Sequence, residues 1–250
     1  MSLIVYVSKY QEIARVLHGE IRVLPDGHRA PSEHEVAQRF GVARSTARAA
    51  LQRLTALNVI RRVRGVGSFV SHRIDYPIAA DHAPSWSATV RASGAVPRSA
   101  VLSCTHEHPP VELRDKLALA AAERCHRLVR LSYVNEIPSA WGVEWVPTAL
   151  VPDLAVAMRV NDSLHDVLLN AGVTPRRSWV HASAEQFDSD VAAQLNAPEA
   201  SLGWYIESLN VDADDHRPVS LSQRWIRADI LRVIFQVAMH PAADTSTGAG

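Results

Sequence analysis

Apolar positions recur along this chain with two different periods, and the change of period marks out its elements. Ser32-Glu33-His34-Glu35 opens as a capping box, Ser32 with Glu35 three positions on, and predicts a helix whose inner stripe is Val36, Ala37 and Phe40. Gly41 breaks it. Ala47, Ala50, Leu51, Leu54 and Leu57 then return at three- and four-residue spacing, which predicts a second helix beginning near Arg44 or Ser45. Val59 to Val63 and Ser68 to Val70 are rich in β-branched residues and flank Arg64-Gly65-Val66-Gly67, the pattern of a hairpin with a glycine-containing tip.

Past Val70 the pattern changes. Ser71 to Trp86 reads as an extended connector, because Pro77 and Pro84 prevent a continuous helix. Arg98 to Thr105 alternates as a strand, and Val111 to Glu123 has helical spacing. Arg127 to Tyr133 and Ser139 to Val146 read as two strands joined at Val134-Asn135-Glu136-Ile137-Pro138. A similar unit returns as Trp204 to Val211, a polar turn through Asp212 to Arg217, and Pro218 to Ile226. In both, the proline (Pro138, Pro218) is followed seven residues later by a tryptophan (Trp145, Trp225). The similarity predicts a repeated hairpin in one antiparallel sheet, with helices near Ser163 to Ala171 and Ser189 to Leu195, and hence an α+β domain. The residues after Pro241 are small and polar, and disorder is expected there.

Charge sharpens this picture. The 250 residues carry 26 Lys and Arg against 26 Asp and Glu. Residues 1–73 hold 12 basic against 5 acidic, a net +7, which leaves 14 against 21, a net −7, in the remainder. The positive end coincides with the two predicted helices and the hairpin. Arg44 and Arg48 stand one turn apart and off the apolar face, with Ser45 and Thr46 at the helix N-terminus, where hydroxyls and free N–H groups can meet phosphates. Arg53, Arg61, Arg62 and Arg64 crowd the hairpin or its base. Taken in order, these features describe a winged helix-turn-helix, with a recognition helix for the DNA major groove and a basic wing.

Other chemistries find little support. No apolar run approaches the ~18 residues that a bilayer span needs, and the N-terminus lacks a signal-peptide pattern, so the expected location is the cytoplasm. Cys104 and Cys125, without C-x-x-C spacing, fit a reducing compartment and read as two buried thiols rather than a redox pair. His106-Glu107-His108-Pro109-Pro110 offers two ligating side chains with no third nearby, and reads as a solvated loop rather than a metal site. No Ser-His-Asp constellation stands out. No catalytic residue, cofactor or metal is expected.

The N-terminal segment resembles the DNA-binding domain of GntR-type bacterial transcription regulators, through Pro31-Ser32-Glu33-His34-Glu35, Val42-Ala43-Arg44 and the wing run from Arg64 to Val70. Tyr10, Gln11, Ile13, Val16, Leu17 and Ile21 match the opening amphipathic helix of that family. Ala30, His34 and Ala43 depart from the usual Leu, Arg and Ser. The resemblance implies DNA contacts from Arg44, Arg48 and Gly65, with His34 standing where the family often has a DNA-contacting Arg, and Ser32, Ser45, Thr46, Arg53, Arg64 and Gly67 complete the candidate DNA-binding set.

The second half resembles the effector domain of the HutC subgroup, called UTRA, whose fold is similar to chorismate lyase, an antiparallel sheet with helices. Within the subgroup it is most similar to regulators of phosphonate utilisation, through Ile74-Asp75-Tyr76-Pro77, Ser163-Leu164-His165-Asp166, Arg176-Arg177-Ser178, Ser208-Leu209-Asn210 and Arg227-Ala228-Asp229. The organisation expected is a DNA-binding domain over 1–73, a linker over 74–85, an effector-binding and dimerisation domain over 86–240 and a tail over 241–250. One recognition helix reads few base pairs, so a homodimer on an inverted-repeat double-stranded operator follows, more often as a repressor.

The effector implied is a small anion such as a phosphonate or phosphate. Arg130 lies where related domains place an anion-binding Arg, and Ser85 and Ser87 correspond to a loop that closes over ligand. Ser163, His165, Arg176, Arg177 and Arg227 complete the candidate set. Gly142 and Ser220 stand where sugar-phosphate readers of the subgroup carry acidic residues, which directs the expectation away from an amino sugar. A regulator of histidine, urocanate or sugar-phosphate catabolism, and a lyase-type enzyme, are the competing readings.

Overall fold

The computed structural model describes residues 8–63, 65–79 and 84–236. It divides into two compact units, Met1–Ile74 and Asp75–Gly250. Arg64 and the tail expected from residue 241 lie outside the described residues.

The first unit contains α1 (Lys9–Ile21), α2 (Glu33–Phe40) and α3 (Arg44–Ala56), followed by a hairpin of β1 (Ile60–Val63) and β2 (Gly67–Val70). The capping box forms as its spacing requires, with Ser32 Oγ accepting the Glu35 N–H at 3.2 Å and the Glu35 carboxylate accepting the Ser32 N–H at 2.7 Å. Gly41 ends α2 in the left-handed region, φ 61°, which a glycine adopts without strain. Ile13, Leu17 and Ile21 of α1, Val36 of α2, Ala47, Ala50, Leu51 and Leu54 of α3, and Ile60 and Val70 of the hairpin close into one core. Leu57, expected on the inner face of α3, is instead 40% exposed. The helix stops at Ala56, and Asn58 turns the chain at φ 54° before Leu57 can reach the core.

The second unit opens with a correction. The segment expected to be an extended linker contains β3 (Ile74–Ile78), which pairs with β10 (Leu231–Phe235) in a two-stranded sheet. Between these strands lie α4 (Trp86–Ala92), β4 (Pro97–Glu107), α5 (Val111–Lys116), β5 (Cys125–Val134), β6 (Ile137–Pro147), α6 (Leu154–Val160), α7 (Leu164–Asn170), β7 (Pro175–Gln186), α8 (Ser189–Gln194), β8 (Leu202–Asp212) and β9 (Pro218–Arg227). The helical spacing predicted through Glu123 ends early, at Lys116, because Ala118 takes φ 52°. His106 and Glu107, read as loop, lie in β4, and the His106 ring meets that of His126 edge-on at 4.5 Å.

The six long strands form one antiparallel sheet in the order β4-β5-β6-β9-β8-β7. Two halves repeat. α4 and α7, β4 and β7, and α5 and α8 begin at a constant separation of 78 positions (86 to 164, 97 to 175, 111 to 189). The predicted repeated hairpins are the inner strands, and they meet along β6 and β9, with Val143 opposite Gln223, Gly142 opposite Arg224 and Glu144 opposite Ser222. Leu113 of α5 and Leu117 just after it pack against Cys125, Trp145, Leu209 and Leu221, while Val191 of α8 and Leu195 just after it pack against Leu131. α6 and α7 cover Leu128 and Val146 elsewhere on the sheet. Burying one such leucine contributes about 1.5–3 kcal/mol.

Candidate functional site

The first unit presents a basic face. No side chain caps α3, because Ala43 occupies its N-cap. Arg44, Ser45, Arg48 and Arg53 are exposed and Thr46 is half-buried, so the side chains predicted to read DNA stand clear of the core. Arg48 Nε lies 3.1 Å from Glu33 and Arg62 Nη2 lies 3.0 Å from the same carboxylate, which ties the recognition helix to the wing. Burial works to raise the Glu33 carboxyl, but these two guanidinium groups hold it below the usual range. His34 is exposed, and Ser32 spends its oxygen on the helix cap. Gly65 and Gly67 adopt φ 75° and 139°, shaping the wing tip. The predicted contact at Arg64 falls outside the described residues.

In the second unit a cleft opens over the middle of the sheet, where a polar stripe interrupts the apolar one. Among its lining residues are the predicted Ser85, Ser87, Arg130, Ser163, His165 and Arg177. The two serines Ser85 and Ser163 are repeat equivalents and do the same job. Ser85 Oγ accepts the Ala88 N–H at 3.2 Å, and Ser163 Oγ accepts the Asp166 N–H at 3.3 Å, so each starts a helix at the rim. Arg176 and Arg227 are not among the lining residues. Arg176 is exposed beside a separate shallow depression with Ser178 and His216. Arg227 is held by Asp229 at 2.6 Å and donates to the carbonyls of Pro138 and Leu195.

Arg130 is buried, 6% exposed, but already engaged. Its Nε and Nη2 donate to Glu144 at 2.9 and 2.6 Å, and its Nη1 donates to the Asp162 carbonyl at 3.1 Å. The same carboxylate lies 2.9 Å from Arg224 Nη2. Glu144 (3% exposed) and Arg224 (9%) both line the cleft, and the sequence reading singled out neither. Burial alone would raise the Glu144 carboxyl, but Arg130 and Arg224 hold it below the usual carboxylate range. Gly142 lies opposite Arg224. A side chain there would meet Gln223 O at 2.3 Å and Arg224 Cγ at 2.8 Å, and the cleft's acid stands two residues further on, at Glu144.

Among the described residues the lining holds three arginines, Arg130, Arg177 and Arg224, and one carboxylate, Glu144. Burial and the Arg177 charge hold the His165 imidazole below its ordinary value against the pull of Asp166. Tyr76 of β3 joins this wall. Its hydroxyl accepts from Arg177 Nη2 at 3.4 Å, and its ring lies 6.2 Å from that of Trp86, over which Arg224 sits at 5.9 Å. Serine hydroxyls line the floor, with Ser208 Oγ 3.3 Å from Ser222 Oγ and Asn210 Nδ2 donating to Ser220 Oγ at 3.0 Å. Among the described residues three buried polar atoms of the lining have no partner: Trp86 Nε1, His165 Nδ1 and Asn210 Oδ1.

Both cysteines are free, and burial raises both thiols, Cys125 to about 11. Among the described residues no helix is long and apolar enough to cross a membrane.

A three-helix unit with a basic hairpin, followed by a sheet domain with a polar cleft, defines a two-part DNA-binding regulator with a small-molecule site. Residues 9–70 match the family of bacterial regulatory proteins, gntR family, and residues 92–232 match the UTRA domain. The chain is 26% identical over 223 residues to the HTH-type transcriptional regulator GgaR of Escherichia coli K12, covering 88% of each. It is 29% identical over 231 residues to the probable transcriptional regulator PhnF of the same strain, covering 90% of this chain and 94% of that one. The crystal structure of PhnF from Mycobacterium smegmatis superposes with a TM-score of 0.62 at 19% identity, covering 91% of this chain and 99% of that one, and so shares the fold.

The chain belongs to the GntR family of transcription regulators, in its HutC-type branch with a UTRA effector domain. It is a regulator rather than an enzyme, as its relatives are.

Proposed function

We propose that this protein is a cytoplasmic, homodimeric repressor that binds an inverted-repeat operator through Arg44, Arg48 and the wing, and whose effector is a small anion of the phosphonate or phosphate class. The two buried guanidinium groups of Arg130 and Arg224 share the single carboxylate of Glu144, which supports the effector class. Buried cations without full counter-charge are costly, and a dianion relieves that cost. A small anion also offers acceptors to guanidinium and hydroxyl donors alike. Likeness to the regulator PhnF over most of both chains points the same way.

A second reading, a sugar phosphate, is favoured by the serine-lined floor of Ser208, Ser220 and Ser222. The test is thermal unfolding of the full chain with methylphosphonate, inorganic phosphate and neutral sugars, since a ligand that binds the folded state raises the Tm by mass action. The anions raise it and the neutral sugars do not. Release of operator DNA by the same anions, read by fluorescence anisotropy, tests the repressor role. Stabilisation by neutral sugars or urocanate alone overturns the effector class and leaves the DNA reader standing.

A further inference from the structure

Residues 1–73 hold five carboxylates, Glu12, Glu20, Asp26, Glu33 and Glu35. Lys9 pairs with Glu12 and Arg39 with Glu20, the His72 N–H donates to Asp26, and Glu35 serves the cap of α2. None of these four binds an arginine of α3 or the wing. Glu33 binds one of each. Its two oxygens accept from Arg48 Nε at 3.1 and 3.3 Å, and one of them accepts from Arg62 Nη2 at 3.0 Å. The Arg48 and Arg62 side chains are 60% and 45% exposed, and ion pairs so exposed contribute little to stability. A negative charge on a surface that approaches DNA also repels phosphates. A role in binding rather than in folding follows.

We propose that Glu33 is a positioning residue that sets the sequence discrimination of the DNA reader, by holding Arg48 and Arg62 in place and by denying both to phosphates met at random. This rests on the reading of Arg48 as a major-groove contact. Arg48 is gripped at Nε, which leaves its four Nη hydrogens without a partner among the described residues, and these form the fork that pairs with O6 and N7 of guanine. A side chain held in this way loses less freedom on binding than one ordered from solvent. Arg62 lies in β1, so the same carboxylate fixes the wing against α3. A phosphate drawn to either guanidinium meets the repulsion of the carboxylate beside it, whereas guanine presents neutral acceptors to the free Nη pair.

The test is fluorescence anisotropy of the full chain over a salt series on two probes, a duplex selected by the wild-type protein from a random-sequence library and the unselected library itself. Glu33→Gln is expected to bind the unselected library more tightly, with log K steeper against log salt by about one to two as the freed guanidinium groups reach phosphates. Its preference for the selected duplex is expected to fall about tenfold, within the worth of one bidentate base contact. Glu20→Gln removes the same charge from the Arg39 pair and is expected to leave the preference unchanged. The cap of α2 rests on Ser32 and Glu35, so Glu33→Gln leaves the start of that helix intact. An unchanged preference in Glu33→Gln, or an equal fall in Glu20→Gln, overturns the proposal. Weaker binding of Glu33→Gln to both probes overturns it in favour of a structural role, and a loss confined to the selected duplex overturns it in favour of a direct base contact. If Arg48→Ala keeps the wild-type preference, the recognition-helix reading itself falls, and this inference with it.

Discussion

Glu144→Gln probes the centre of the cleft, because it removes the one negative charge that two buried guanidinium groups share. The carboxylate accepts two hydrogen bonds from Arg130, at 2.6 and 2.9 Å, and lies 2.9 Å from Arg224. Removing one partner of a buried ion pair costs about 3–5 kcal/mol, since the stranded charge keeps its desolvation penalty. Glutamine preserves the shape and one acceptor oxygen, which puts the expected loss near the lower bound, about 3 kcal/mol. For a chain of this size that lowers the Tm by roughly 6–12 °C. Circular dichroism melts over a pH series measure it.

The sign with pH follows from the depressed Glu144 pKa. Its contribution to stability is complete above the ordinary carboxylate value of 4.5 and is lost as pH falls through the lower folded value. The gap between wild type and variant should therefore close on the acid side and stay open at neutral pH. Methylphosphonate should stabilise the variant more than the wild type, because it restores a missing negative charge. An unchanged Tm at neutral pH, or a gap that persists into acid, would refute the view of this cluster as an ion-paired, charge-hungry triad.

Replacing Arg44 or Arg48 with Ala is expected to cost about 1–3 kcal/mol of operator binding per base contact, read by anisotropy at fixed salt, with the effector-induced Tm shift unchanged. Gly142→Ala forces a Cβ to within 2.3 Å of Gln223 O, and should destabilise the protein by about 1–3 kcal/mol in thermal melts. The fragment 75–250 should sediment as a dimer and the fragment 1–74 as a monomer, as the proposed homodimer through the effector domain requires.

What the sequence shows plainly is local chemistry. Ser32 with Glu35, Gly41, and the apolar stripe from Ala47 to Leu54 each act within a turn or two of helix, and α2, α3 and the wing follow from them. β7 goes unread because it is an edge strand whose residues from Arg177 to Gln186 are half-buried or exposed on both faces, so its alternation is faint. β3 is five residues whose partner strand begins more than 150 positions later, a pairing no local pattern encodes. In the cleft, Ser85, Ser87, Arg130, Ser163, His165 and Arg177 were each identifiable one at a time. Glu144 and Arg224 were not, since their meeting depends on β6 lying beside β9. One signal was available: a carboxylate inside Val143-Glu144-Trp145-Val146 is a charge in a strand that must be buried, and a buried charge needs a partner.

The repeat explains how that partner is supplied. Pro138 and Pro218, and Trp145 and Trp225, are equivalent positions of the two hairpins, and so are Glu144 and Arg224, each 80 positions apart (138 to 218, 144 to 224, 145 to 225). Because β6 and β9 run antiparallel with Val143 opposite Gln223, the two halves are related about that pair, and the positions just beyond it fall diagonally across the shared seam on one face of the sheet. Identical residues at 144 and 224 would set like charges face to face. A carboxylate on one copy and a guanidinium on the other form an ion pair instead, and the glycine opposite Arg224 leaves its side chain room to lie across the seam. The same divergence makes the cleft polar in direction: Arg130 in the first half has Ser208 as its counterpart in the second, each opposite the hairpin partners Gly142 and Ser222. A symmetric scaffold thereby yields a cleft in which Arg130 and Arg224 stand against Glu144 while Ser208, Ser220 and Ser222 supply hydroxyls.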